Sequence, residues 1–377
     1  MSRRAATTTV RLSAAGLGAS APLLVGPLIA VAVLLYLMAG PLAAGTAHAD
    51  GPGTEAEEAE EGLRLLDRAA QAGHGLTYSG VQFVAAWDAH RSSTTLINLA
   101  HTPARGTVMD LDGDEAYVPL AVAAPRDPGL QLGLDRSQLG LLRGNYRLGA
   151  EGGNTVCGRS ADVVVARRTN GTVAARFWVD RDTGLMLRRE ARDGRGRITQ
   201  ASAFLDLKVG DGAERDVAAS GTAATSRAAA PWSRTLTAAD LSWLRRHGWA
   251  VPGGLPDGLR LLESRSSGYG TRQVVHLRYS DGLATLSLFV QRGRLDTTKL
   301  SRLLKAARGG ATVFQTDSVQ QRVTWAARGH VYTLLADTPS SSVDKAIRVL
   351  PHEPEPGFWD RVSRGLSRLA SWANPFG

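Results

Sequence analysis

The chain has 377 residues, a formal net charge of +9 and a hydrophobic fraction of 43%. That length predicts two domains, each large enough for its own core. The basic excess is almost all arginine, scattered among Asp and Glu rather than gathered into a stripe, which argues against nucleic acid as a partner and for a solvated mixed surface.

Arg3, Arg4 and Arg11 precede an apolar stretch over residues 21–39, and Ala47-His48-Ala49 offers a small-x-small cleavage site. Residues 1–49 therefore read as a signal peptide or as an N-terminal membrane anchor, the stretch being long enough to span a bilayer. Either way the remainder is exported, secreted or held at the outer face of the cytoplasmic membrane. Cys157 is the only cysteine, so no intrachain disulfide forms and burial alone must hold the exported fold.

Thr54 and Glu57 have capping-box spacing and open a helix with Leu63, Leu66 and Ala70 on one face, ending near Gly73-His74-Gly75. Val81, Phe83, Ala85 and Trp87 then alternate with smaller or polar neighbours, as in a strand with one buried face. Residues 94–99 and 107–109 are its expected partners, with Asp112-Gly113 as a hairpin signal. A short helix is expected over residues 135–142, and strands over 146–148, 161–166 and 173–179. Residues 176–207 form a three-stranded meander turning at Arg181-Asp182-Thr183-Gly184 and Asp193-Gly194-Arg195-Gly196.

Residues 54–210 make the first expected domain. The stretch 211–231, rich in Gly, Ala, Ser and Thr, reads as a flexible linker. Residues 232–350 make a small α+β domain, with a helix over 238–247, strands over 259–263, 274–280, 283–291, 311–314, 322–326 and 331–335, and a closing helix over 341–350. Residues 351–377 are a Pro-rich hinge and an amphipathic helix. Its apolar face is Phe358, Trp359, Val362, Leu366, Leu369 and Trp372, with Arg361, Arg364 and Arg368 opposite. That pattern fits contact with a membrane surface, or equally a helix docked on protein.

The chemistry-bearing motifs are missing: no Gly-x-Ser-x-Gly elbow, no zinc helix around His352-Glu353, no phosphate loop and no histidine pair at ligand spacing. No catalytic residue, metal or cofactor is assigned. The chain reads as a binding protein rather than an enzyme.

Several stretches together resemble the MucB/RseB family of sigma-factor regulatory proteins. They are Leu76-Thr77-Tyr78-Ser79-Gly80, then Gly158-Arg159 through Val165, then Arg176-Phe177-Trp178-Val179-Asp180 through Arg188, then Leu255-Pro256-Asp257-Gly258, and Tyr279-Ser280-Asp281-Gly282 through Val290. The resemblance implies an α+β fold. Its N-terminal part would be a LolA-like curved, incompletely closed antiparallel sheet with helices on the concave face, followed by a smaller α+β domain. It implies a partner, the extracytoplasmic part of a membrane anti-sigma factor, which binding shields from proteolysis so that an envelope-stress sigma factor stays silent. The alternative is a lipid or lipoprotein carrier or sensor, with acyl chains against the sheet. For such a pocket Val81, Phe83, Trp87, Phe177 and Val179 are the candidates, the other reading being that they form an ordinary core. The tail after residue 350 is not part of the resembling pattern.

Overall fold

The computed structural model describes residues 52–87, 92–104, 106–111, 134, 136–213, 234–268, 270–300, 303–316 and 321–353. Residues 1–49, the Asp112-Gly113 hairpin, all but the first three residues of the linker, and the helix expected after residue 357 lie outside them. The described residues fall within one compact unit that contains two antiparallel sheets.

Helix α1 spans Pro52–Gly75 and is followed by β1 (Tyr78–Trp87), β2 (Ser92–Thr102) and β3 (Gly106–Leu111). Next come α2 (Arg136–Asn145), β4 (Arg147–Val156), β5 (Arg159–Arg167), β6 (Val173–Asp180), β7 (Met186–Arg192) and β8 (Ile198–Val209). The helix starts two residues before Thr54, at Pro52, where a missing N–H and a fixed φ suit the first turn. The eight strands curl into one sheet of order β3-β2-β1-β8-β7-β6-β5-β4. Every neighbour is next in sequence except at the β1–β8 seam. There Gly80 lies so close to β8 that a Cβ would sit 2.2 Å from the Asp206 carbonyl oxygen.

The predicted meander is β6, β7 and β8. Its second turn is fixed by Asp193 Oδ1, which accepts from the backbone N–H groups of Arg195 at 2.9 Å and Arg197 at 3.0 Å. Alternation along the strands gives the sheet two apolar faces. Leu65, Leu66, Ala69 and Ala70 of α1 bury against Val164, Ala166, Phe177 and Val179. Full burial of a side chain such as Leu66 is worth about 1.5–3 kcal/mol. Val163, Val165, Trp178 and Leu187 pack on the opposite face.

The second sheet is built from β9 (Arg234–Thr235), β10 (Arg260–Ser267), β11 (Val274–Ser280), β12 (Thr285–Arg292), β13 (Leu304–Arg308), β14 (Ala311–Gln315), β15 (Gln321–Ala327) and β16 (His330–Ala336). Its order is β13-β14-β15-β16-β12-β11-β10-β9. Helices α3 (Ala238–Arg246) and α4 (Ser340–Val349) supply Leu244, Val343 and Ile347 to a core with Val275, Leu277, Tyr279, Leu286, Leu288, Val290, Trp325 and Tyr332. Thr237 and Asp240 close a reciprocal capping box at the start of α3. The polar ends of buried aromatics find acceptors: Tyr279 Oη donates to the Pro252 carbonyl and Trp325 Nε1 to the Pro351 carbonyl, each at 2.8 Å. The expected elements of both sheets are present. The edge strands β9 and β13 and the extension of β4 to Val156 are additions that the sequence pattern did not signal.

Candidate binding cleft between the two sheets

A cavity of about 990 Å³ opens between the sheets. From the first sheet come Trp87 at the end of β1, Tyr146 just after α2, Arg168, Arg192, the Asp193–Arg197 turn and Gln200. Across from them stand Asp257, Asp281, Leu283, Gln321, Asp337 and the first turn of α4 with Lys345. A few hydrogen bonds join the walls. Tyr146 Oη donates to Asp281 Oδ2 at 2.7 Å, and Asn145 Nδ2 to the Asp281 carbonyl at 2.9 Å. Gln200 Nε2 donates to the Asp337 carbonyl at 2.8 Å, and Arg189 Nη2 to the Leu283 carbonyl.

Local sequence explains this seam. The β11–β12 turn is Asp281-Gly282, and Asp281 Oδ1 accepts from the N–H groups of Leu283 at 2.8 Å and Ala284 at 2.7 Å. That leaves Oδ2 pointing to Tyr146. Gly282 has φ of 100°, and a Cβ there would lie 2.5 Å from the Leu142 nitrogen, so the turn seats directly on α2. Burial, and then the Asp281 charge, push the Tyr146 hydroxyl far above its ordinary pKa, so it remains a donor. On the far wall Asp257 Oδ1 and Oδ2 accept from Lys345 Nζ and Ser342 Oγ, each at 2.7 Å. Desolvation opposes its ionisation, yet those two partners outweigh it and hold the carboxyl below its usual range.

The cleft is therefore a groove lined by apolar side chains and by charged groups of both signs. Among the described residues no group of three or more His, Cys, Asp or Glu could hold a metal ion. Sequence reasoning did not single out Tyr146, Asn145 or Asp281 as a unit. The Asp281-Gly282 turn was visible, but a turn does not announce what it docks on.

The five apolar candidates do not gather in one place. Phe177 and Val179 are buried together in the core under α1. Phe83 pairs with Ala203, which pairs with Arg188, which pairs with Trp178, so Phe83 belongs to the opposite face. Val81 shares the Phe83 side of β1 and is half-buried, while Trp87 reaches the cleft. The tail candidates Phe358, Trp359, Val362, Leu366, Leu369 and Trp372 lie outside the described residues.

A curled antiparallel sheet backed by helices is joined across this cleft to a smaller helix-backed sheet, so the described residues form two lobes. Residues 120–226 match the model of the MucB/RseB N-terminal domain, which bears out the resemblance over the stretches 158–165 and 176–188. Among solved structures, a crystal structure of MucB is 21% identical with a TM-score of 0.44, and the match covers 78% of this chain and 98% of that one. The Pseudomonas aeruginosa MucA/MucB complex is 20% identical with a TM-score of 0.41, covering 78% and 99%. A LolA superfamily protein from Nitrosomonas europaea is 8% identical with a TM-score of 0.20, covering 40% and 94%. No curated protein matches the chain.

Proposed function

We propose that this chain is an exported regulator, without catalytic activity of its own, that binds the extracytoplasmic part of a membrane anti-sigma factor. Bound in this way, the anti-sigma factor is shielded from proteolysis and its sigma factor stays silent. The observation that carries the reading is the match of residues 120–226 to the MucB/RseB N-terminal domain. The cleft supports it physically by offering a groove of about 990 Å³ with mixed charge. Each hydrogen bond across it contributes only about 0.5–1.5 kcal/mol, so a ligand can shift how the lobes sit. A stress signal releases the partner only if it binds the released form better than the engaged one.

The test is capture of the extracytoplasmic segments of the source organism's membrane anti-sigma factors by the purified protein. One segment is retained and becomes resistant to protease. If none is retained without stress, the reading fails. The tail adds an expectation of its own: deletion of residues 358–377 weakens sedimentation with phosphatidylglycerol vesicles, and unchanged sedimentation assigns the tail to protein contact.

A further inference from the structure

The face of the second sheet opposite α3 and α4 carries an unusual arrangement. Along β11, Val275, Leu277 and Tyr279 enter the core, so His276 and Arg278 point the other way. Arg278 is paired in register with Glu263 on β10 and with Ser287 on β12, while His276 is paired with Arg265 and Phe289. These six side chains therefore share one face.

Arg278 is only 4% exposed. Its Nε lies 3.3 Å from Glu263 Oε2 without making a hydrogen bond, and both Nε and Nη1 are buried with no acceptor. Glu263 is shared, because its other oxygen accepts from Arg265. His276 adds no positive charge: burial lowers its pKa to about 4, against the pull of Glu263, and its Nε2 lies 3.0 Å from Ser287 Oγ. Two guanidinium groups thus stand against one carboxylate, and one of them is desolvated with donors to spare. A buried cation is held at its lowest cost when it is both paired and hydrogen-bonded.

We propose that this face is a carboxylate-binding site centred on Arg278, and that its occupant is an acidic segment of a partner protein. The unsatisfied Nη1 of the guanidinium can donate a charge-assisted hydrogen bond to an incoming carboxylate. The ring of Phe289, stacked on His276 with centroids 4.4 Å apart, is half-buried beside it and offers apolar contact to the next side chain of a peptide. A bare anion gains nothing from that ring. A bilayer surface cannot reach a guanidinium that is almost wholly buried. The inference stands on this sheet face alone and does not depend on which protein occupies the cleft.

The probe is a fluorescent eight-residue peptide alternating Leu and Glu, compared with the same peptide carrying Gln for Glu, titrated into the full chain. The Glu peptide binds at least tenfold more tightly, and Arg278→Met abolishes the preference. In the wild-type protein the Arg278 Nε–H resonance shifts as the Glu peptide is added, which decides the matter even if the variant does not fold. Equal affinity for the two peptides, a preference that survives Arg278→Met, or an unmoved Arg278 resonance overturns the proposal. So does Arg278-dependent binding of phosphatidylglycerol vesicles without any preference for the Glu peptide.

Discussion

Burial between Ser287 and the Phe289 ring lowers the His276 pKa from an ordinary 6.5 to about 4; Glu263 pulls it upward, while Arg278 and Arg265 add to the depression. The folded value lies below the unfolded one, so the folded state binds fewer protons in between. Above pH 6.5 neither state is protonated and the contribution to stability is complete. As the pH falls from there towards 4, only the unfolded chain takes up the proton, and stability drops by up to about 3 kcal/mol. His276→Gln flattens that slope. Urea midpoints of wild type and variant at pH 7.5 and 4.5 provide the check, and parallel losses in the two proteins would refute this account. Asp180 acts in a lower range. Desolvation resists its charge, but Arg159 and Thr183 prevail and keep the carboxyl below its ordinary value, so its stabilisation is present above that value and is lost only as the pH falls through the depressed one.

At the level of elements, the β11–β12 turn packs closely on α2. Gly282→Ala combines a positive φ with a Cβ placed against the Leu142 backbone, and is expected to destabilise by more than about 1 kcal/mol. Chemical denaturation measures this, and a variant as stable as wild type would show that the turn does not rest on α2. Most elements were legible beforehand because their signals are local. The apolar run of α1 and the Asp193–Gly196 turn each lie within a few residues of chain, although the helix buries Leu65, Leu66, Ala69 and Ala70 rather than a stripe through Leu63, and β1 is buried on both faces rather than on one. Their relative placement was not legible. Whether Phe83 shares a face with Phe177 or with Trp178 depends on register through β8 and β7, including the bulge between Val81 and Gln82. A shift of one residue reverses every side chain, and no single-strand pattern reveals it. The two-residue β9 and the mixed β13 are edge strands, too short or too polar to carry a period. Arg278 escaped notice for a related reason: one arginine among many looks solvated until its neighbours bury it.

At the scale of the two lobes, the described residues form separate cores that meet through turns, side-chain hydrogen bonds and the packing of Leu283 against the first core, not through a shared sheet. Such interfaces permit relative motion of the parts. Tyr146→Phe removes the donor to Asp281 Oδ2 and leaves a carboxylate oxygen short of a partner, at a cost of about 1–3 kcal/mol. The expected result is faster hydrogen exchange at the Leu283 and Ala284 amides with little change in either core. Protection retained at those amides would mean that the remaining contacts hold the seam without Tyr146.

The β1–β8 seam also bears on how the chain reaches this state. Strands β4 to β8 are joined by successive turns, and hairpins of that kind form in about 1–10 μs. Joining β1 to β8 instead closes the entire stretch between Trp87 and Ile198, an entropic cost met before any contact compensates for it. Within the first sheet this is the pairing of greatest sequence separation, at the point where Gly80 lets two backbones approach closely. Until that pairing forms, β1 and β8 each present an open edge, which gives a newly made chain a window in which it can associate with its own copies.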